Sequence, residues 1–291
     1  MRESSNPVMR GVLRDNQKNG GYAGFGTGMA GAGQGAVMGQ QLGQPQQTDP
    51  YARPGQPVGA RSMTIDDVVT KTASTLGVLI VTALISYFLI HQNEGLAMPL
   101  LLVGGLGGFV LVMIATFGRK QDNPAIVLSY AALEGLFVGA ISFVFANFVV
   151  AGDISAGMLI GQAVLGTFGV FGGMLIVYKT GAIRVTPRFT RMLFAGLVGV
   201  IVLILANLVV GFFNGGEGLG LRSGGPIAII FSLVCIGLAA FSFLIDFDSA
   251  DRLIRAGAPA KAAWGIALGL TVTLVWLYVE ILRLLSYFNS D

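Results

Sequence analysis

The chain has 291 residues, of which 54% are hydrophobic and 11% charged, with a mean hydropathy of +0.74. A soluble domain carries about 25% charged residues, so this composition excludes a soluble globular protein and points to a polytopic membrane protein. A formal charge of +3 is too small to suggest a nucleic-acid partner, and a single cysteine (Cys235) and a single histidine (His91) exclude an internal disulfide, a Cys/His metal site and an HExxH zinc site.

Residues 1–62 read as a disordered Gly/Gln-rich cytoplasmic tail, and 63–291 as a seven-helix transmembrane domain. The stretch GGYAGFGTGMAGAGQGAVMGQQLGQPQQ has no apolar period and too little apolar surface to offset the entropy of ordering. Gly26, Gly28 and Gly31 spell GxGxxG, but no strand precedes them, so no dinucleotide site is expected. No cleavable signal peptide is visible, since the first apolar run starts near Leu76 and is long enough to span.

Order begins at Thr64-Ile65-Asp66-Asp67, a capping-box pattern. Seven apolar segments follow, at 71–90, 97–117, 123–149, 156–178, 188–213, 226–247 and 262–288, each near the ~20 residues a bilayer requires. Basic residues crowd alternate loops. Arg61 and Lys71 flank the start of span one, and Arg119 and Lys120 join spans two and three. Lys179, Arg184, Arg188 and Arg191 join four and five, and Arg252, Arg255 and Lys261 join six and seven. The other loops hold His91 and Glu94, then Asp153, then Glu217 with a lone Arg222. This bias predicts a cytoplasmic N-terminus and, with an odd number of spans, an outside C-terminus, and the chain is expected in the cell membrane (plasma or inner membrane). Glycines four residues apart, at Gly104/Gly108, Gly135/Gly139 and Gly169/Gly173, predict close helix packing in lipid. Asn147, Gln162 and Asn207 are expected to make interhelical hydrogen bonds.

Acids at membrane depth are the functional candidates, because each costs roughly 2.5–3.5 kcal/mol to insert at mid-helix. Glu134 lies three turns into span three. Asp246 and Asp248 are expected at the inner end of span six, where they could also be an ordinary helix end meeting water. Glu280 lies within span seven, and Arg283 three residues on gives it an alternative as a local ion pair. Arg119 could be a plain positive-inside anchor. Two carboxyls close together in a buried site shift one another and titrate as a unit. Ionised, they form a hard oxygen site suited to Ca²⁺. Such a cluster with a basic latch is the skeleton of a proton-gated cation path, and composition does not separate it from a proton relay.

Four stretches resemble the Bax inhibitor-1 family of seven-span membrane proteins, in its bacterial YccA-like branch. They are Gly118-Arg119-Lys120, Leu133-Glu134-Gly135, Ile245-Asp246-Phe247-Asp248-Ser249 and Trp276-Leu277-Tyr278-Val279-Glu280-Ile281, and the resemblance covers 64–288. It implies a pH-dependent Ca²⁺ leak in which an acidic pair joins spans six and seven and an Arg on span two latches the sixth-span acid. By match, Asp248 and Glu280 are the pair, transient Ca²⁺ ligands when ionised, and Arg119 is the latch. Asp246 is the alternative sixth-span member, and Glu134 a further neighbour for Glu280. Glu in place of the family's seventh-span Asp adds one methylene.

Family members are also linked to stress survival and to control of a membrane protease, which gives a second reading, a regulator with no flux of its own. No cofactor and no enzymatic activity are expected. No GxGD-like element surrounds Asp246 or Asp248, and His91 has no GxSxG partner.

Overall fold

The computed structural model describes residues 61–149, 155–216 and 218–289. The expected tail lies almost wholly outside them, as do Asp153 and Glu217. The described chain is all-helical, with seven helices long and apolar enough to cross a membrane. These are α1 (Ile65–Gln92), α2 (Ala97–Phe117), α3 (Pro124–Val144, continued by a π turn at Phe145–Val149), α4 (Ala156–Thr180), α5 (Pro187–Phe213), α6 (Pro226–Arg255) and α7 (Ala263–Phe288). The protein is a multi-pass membrane protein.

Capping side chains start several of these helices. Thr64 accepts from the Asp67 amide while the Asp67 carboxylate accepts from the Thr64 amide, closing the expected capping box. Asn123, Ser155 and Thr186 cap α3, α4 and α5, and Pro124, Pro187 and Pro226 sit in the first turns of their helices, where no amide donor is missed. The clearest departure from expectation is α6. Its apolar run ends at Phe247, but the helix continues to Arg255. The Asp248–Arg252 and Asp251–Arg255 ion pairs, at 2.5 and 2.7 Å, sit one turn apart and carry it past the apolar segment. It stops ahead of Gly257, which takes a left-handed φ of 66°.

The innermost helix is α7. It packs on α1, α3, α4 and α6, and 72% of its most apolar window is buried, the largest share among the seven spans. Around it, α1 and α2 both lie tightly on α3. Gly104 and Gly108 of α2 face the α3 backbone and Glu134, while Gly135 and Gly139 of α3 face the α1 carbonyls of Leu79 and Ala83. Two of the three expected glycine pairs thus set helix contacts. A Cβ at Gly169 or Gly173 would meet nothing within 4 Å, so that pair sets none. Helix α5 packs on α6, and its outward Ile201, Val202 and Leu205 are exposed to lipid.

The basic loops gather at one end. Met63 donates to the Ala258 carbonyl (2.7 Å), Ala260 donates to the Arg61 carbonyl (2.9 Å), and Lys71 donates to the Ala260 carbonyl. Lys261 pairs with Asp122 of the α2–α3 loop at 2.6 Å. This is the Arg119 end; the opposite one is the Arg222 end. Lys261, hydrogen-bonded to Asp122, holds that carboxyl below its ordinary value of 3.8. A lowered folded-state value means the pair stabilises fully above pH ~4 and stops doing so as pH falls through the folded value. Asp122→Asn is therefore expected to cost about 0.2–1 kcal/mol at pH 7, as exposed pairs do. The difference from the parent in detergent unfolding should close at strongly acid pH, and a difference that persists there would refute the pairing.

Candidate functional site

Asp246 lies inside α6, more than two turns before that helix ends, and points at α7. Its carboxylate accepts a hydrogen bond from Thr273 Oγ1 at 2.9 Å. The Cβ position of Gly269 lies 3.6 Å from its other oxygen, so the missing side chain leaves the carboxylate room between two turns of α7. Asp248 follows two residues later, about 200° around the helix, and bonds Arg252 at 2.5 Å instead. Only one of the two sixth-span acids therefore faces the seventh span.

Above Asp246, toward the Arg119 end, is a cavity of about 480 Å³ lined by Thr116, Arg119, Asp122, Ser249 and Gly265, among others. Ser249 and Gly265 lie roughly one helical turn, about 5 Å along the helix axes, from Asp246 and Gly269. Arg119 stands at the rim with a left-handed φ of 52°, the one non-glycine residue with positive φ among the described residues. It occupies the position after the α2 C-terminus where glycine is usual, with Lys120 donating back to the Ala115 carbonyl at 2.9 Å. A left-handed Arg costs roughly 1–2 kcal/mol, and a strained residue kept at a cavity rim points to function.

Glu280 is elsewhere. It lies seven residues beyond Thr273 on α7, about 10 Å toward the Arg222 end, and Asp248 lies past Asp246 in the opposite direction. The expected Asp248–Glu280 pair is thus not formed: each acid has its own arginine. Arg283 Nη1 donates to Glu280 Oε1 at 2.6 Å, and Arg222 Nη2 lies 3.9 Å from the same oxygen. Glu280 is 3% exposed, and its Oε2 is buried with no protein partner. The local Glu280–Arg283 alternative is the one the structure realises, joined by a loop arginine that sequence reading left as a stray charge. The expected latch also differs, since among the described residues Arg119 makes no ion pair with Asp246 or Asp248.

Glu134 faces α2, and a Cβ at Gly108 would lie 2.5 Å from its Oε2. Ser142 of α3 meets Tyr278 of α7 at 2.7 Å. Eight residues back along both helices, Glu134 is level with Leu270, between Gly269 and Thr273. Glu134 and Asp246 thus share a depth but not a face, and Glu134 does not reach Glu280. The three polar amides do not bridge spans as expected. Asn147 donates to its own helix at the Phe143 carbonyl, Asn207 accepts from Leu219 of the following loop, and Gln162 is exposed.

A protein-family model described as Bax inhibitor 1 like matches residues 6–290. The chain belongs to the Bax inhibitor-1-like family. The match extends well beyond the 64–288 over which motifs could be read. A comparison with curated proteins finds no match. Against the acidic pair that the family resemblance implied for spans six and seven, this Bax inhibitor-1-like chain places an acid opposite a hydroxyl, Asp246 opposite Thr273. Thr273 is a hydroxyl in an apolar run, so no charge marks it in the sequence. Its signal was positional. Counted outward from Pro259, the middle of the α6–α7 connector, Asp246 and Thr273 lie at nearly equal distances on the two arms.

Proposed function

We propose that the protein is a proton-sensitive Ca²⁺ leak of the Bax inhibitor-1 type, entered through the cavity at the Arg119 end, with Asp246 as the acid at its constriction. The observation that carries this reading is the part-buried Asp246–Thr273 hydrogen bond, about one helical turn from Ser249 and Gly265 of that cavity's lining. Ionised, Asp246 offers an arriving cation a hard oxygen. With the Thr273 hydroxyl donating to it, the carboxylate also ties α6 to α7 and keeps the constriction shut. Protonation removes the charge that holds the hydroxyl and loosens that tie. Among the described residues no three His, Cys, Asp or Glu side chains converge. One carboxylate and one hydroxyl fall well short of the six to eight oxygens Ca²⁺ takes in a resident site, so the ion is cargo and not a fixture.

A lone carboxyl titrates in one step, whereas a coupled pair titrates in two. Ca²⁺ flux into dye-loaded liposomes, measured between pH 6 and 8, is therefore expected to follow a single-proton curve. Asp246→Asn should flatten that curve and change flux by about tenfold, the equivalent of ~1.4 kcal/mol. Arg119→Gly should leave the protein as stable or about 1 kcal/mol more stable, because glycine relieves the left-handed strain, while altering flux through the lost rim charge. Flux and pH response unchanged in Asp246→Asn would defeat the proposal.

A further inference from the structure

A second cavity, of about 430 Å³, opens on the flank of the bundle between α1 and α4, which make no substantial contact with each other. Its floor is α3 and α7. Along α1 it runs from Leu76 to Phe88, and along α4 from Gly157 to Phe168. Its mouth is continuous with the lipid-facing surface, since Ile80, Leu84 and Val164 line it and are themselves exposed on the membrane face. We propose that this groove binds one acyl chain of a bilayer lipid, drawn from the leaflet at the Arg222 end.

Three observations choose this occupant. The first is polarity. No charged side chain lines the groove, and three of its four hydroxyls already have partners. Ser142 donates to the Val138 carbonyl at 2.6 Å and meets the Tyr278 hydroxyl at 2.7 Å, while Thr167 donates to the Ala163 carbonyl at 2.7 Å. A polar ligand would have only Tyr87 to bond, whereas an alkyl chain needs no partner. The second is length. Twelve residues of α1 rise about 18 Å, close to the ~15 Å of hydrocarbon in one leaflet. The third is access. The mouth opens on Ile80, Leu84 and Val164, which are exposed on the membrane face, so an acyl chain enters without crossing polar surface. This site is independent of the proposed leak, because Asp246 and the Arg119 cavity take no part in it.

The test uses the full-length protein in phosphatidylcholine vesicles doped with a phosphatidylcholine that carries a diazirine midway along one acyl chain. After photolysis, labelled peptides are mapped by mass spectrometry. Label is expected to concentrate on the α1 and α4 residues lining the groove, above that on the open lipid face of α5 at Ile201 and Leu205. Val164→Trp, which narrows the mouth, should lower groove labelling by about fivefold and leave α5 labelling unchanged. Gly157→Leu serves as the second blocking variant, since a Cβ there meets nothing within 4 Å. Groove labelling of the parent protein no stronger than that of the α5 face would overturn the proposal whatever the variants do. So would undiminished labelling in a blocking variant whose melting temperature matches the parent.

Discussion

Glu280→Ala is expected to lose about 3–5 kcal/mol of folding stability, because it strands buried positive charge. Arg283 is mostly covered, with a side chain 13% exposed, and its guanidinium lies 6.0 Å from the centre of the Phe145 ring. Burial, and then the neighbouring Arg283, lower the Arg222 guanidinium from its ordinary value, and Glu280 acts against them. Without the carboxylate, the mostly covered Arg283 and the part-buried Arg222 face each other with no acid between them. Both arginines lie nearest Oε1, so one carboxylate oxygen links α7 to the loop that carries Arg222. The loop that delivers Arg222 turns through glycines of positive φ and seats Leu221 against Val200, Phe231 and Cys235. Losing Glu280 should therefore free the loop as well as the pair. Replacing both α7 charges, in Glu280→Leu/Arg283→Leu, should recover the part of the loss due to the stranded Arg283 and leave the part due to Arg222. Reversible unfolding in detergent micelles measures both variants. A loss below about 1 kcal/mol for Glu280→Ala, the range of exposed pairs, would show the clamp to be slack.

Gly135→Leu is expected to yield no correctly packed bundle. A Cβ at this position would overlap the Thr82 hydroxyl and the Leu79 carbonyl of α1. The second of these is backbone and cannot rotate away, so α1 would have to leave α3. Overpacking usually costs about 1–3 kcal/mol when neighbours can adjust, and here a whole helix must shift. Gly169→Ala is the matched control. It is also a glycine in a helix, but its Cβ meets nothing, and it should gain up to about 1 kcal/mol of helix propensity. Monodisperse yield and unfolding midpoint separate the two, and a Gly135→Leu protein that melts like the parent would show that the α1–α3 contact is looser than the coordinates place it.

Features governed by local chemistry were legible in the sequence. The seven spans follow from hydropathy, and the Thr64 capping box from four consecutive residues. The gathering of basic loops at one end follows from their alternation. The glycine pairs illustrate the limit of such reading: Gly104/Gly108, Gly135/Gly139 and Gly169/Gly173 have the same spacing, yet only the first two meet another helix. Spacing places small residues on a face but does not say what stands opposite.

The geometry of the acids differs from the pairing the resemblance implies for a related reason. By match, Asp248 is the sixth-span partner of Glu280 and Asp246 the alternative, and the sequence ends the apolar span at Phe247. The helix in fact runs two turns further, which sets the register of the α6–α7 hairpin and brings Asp246 to Thr273. Glu280 drew attention as a carboxylate in an apolar run, but its loop partner Arg222 lies 58 residues earlier in a segment without periodicity. No helical pattern could have placed that arginine beside it.

The position of α7 at the centre has a consequence for biogenesis. Translation makes α1, α3, α4 and α6 before the helix they all contact. Until the seventh segment enters the bilayer, these earlier spans lack their common partner, and the faces meant for it remain open to lipid and to one another. A ribosome stalled within the α6–α7 connector would thus leave six inserted helices with their mutual contacts, such as α1 and α2 on α3, but without the helix that joins them. Assembly of this protein is decided at the end of synthesis, and a nascent chain shortened by a single span should be a substrate for quality control.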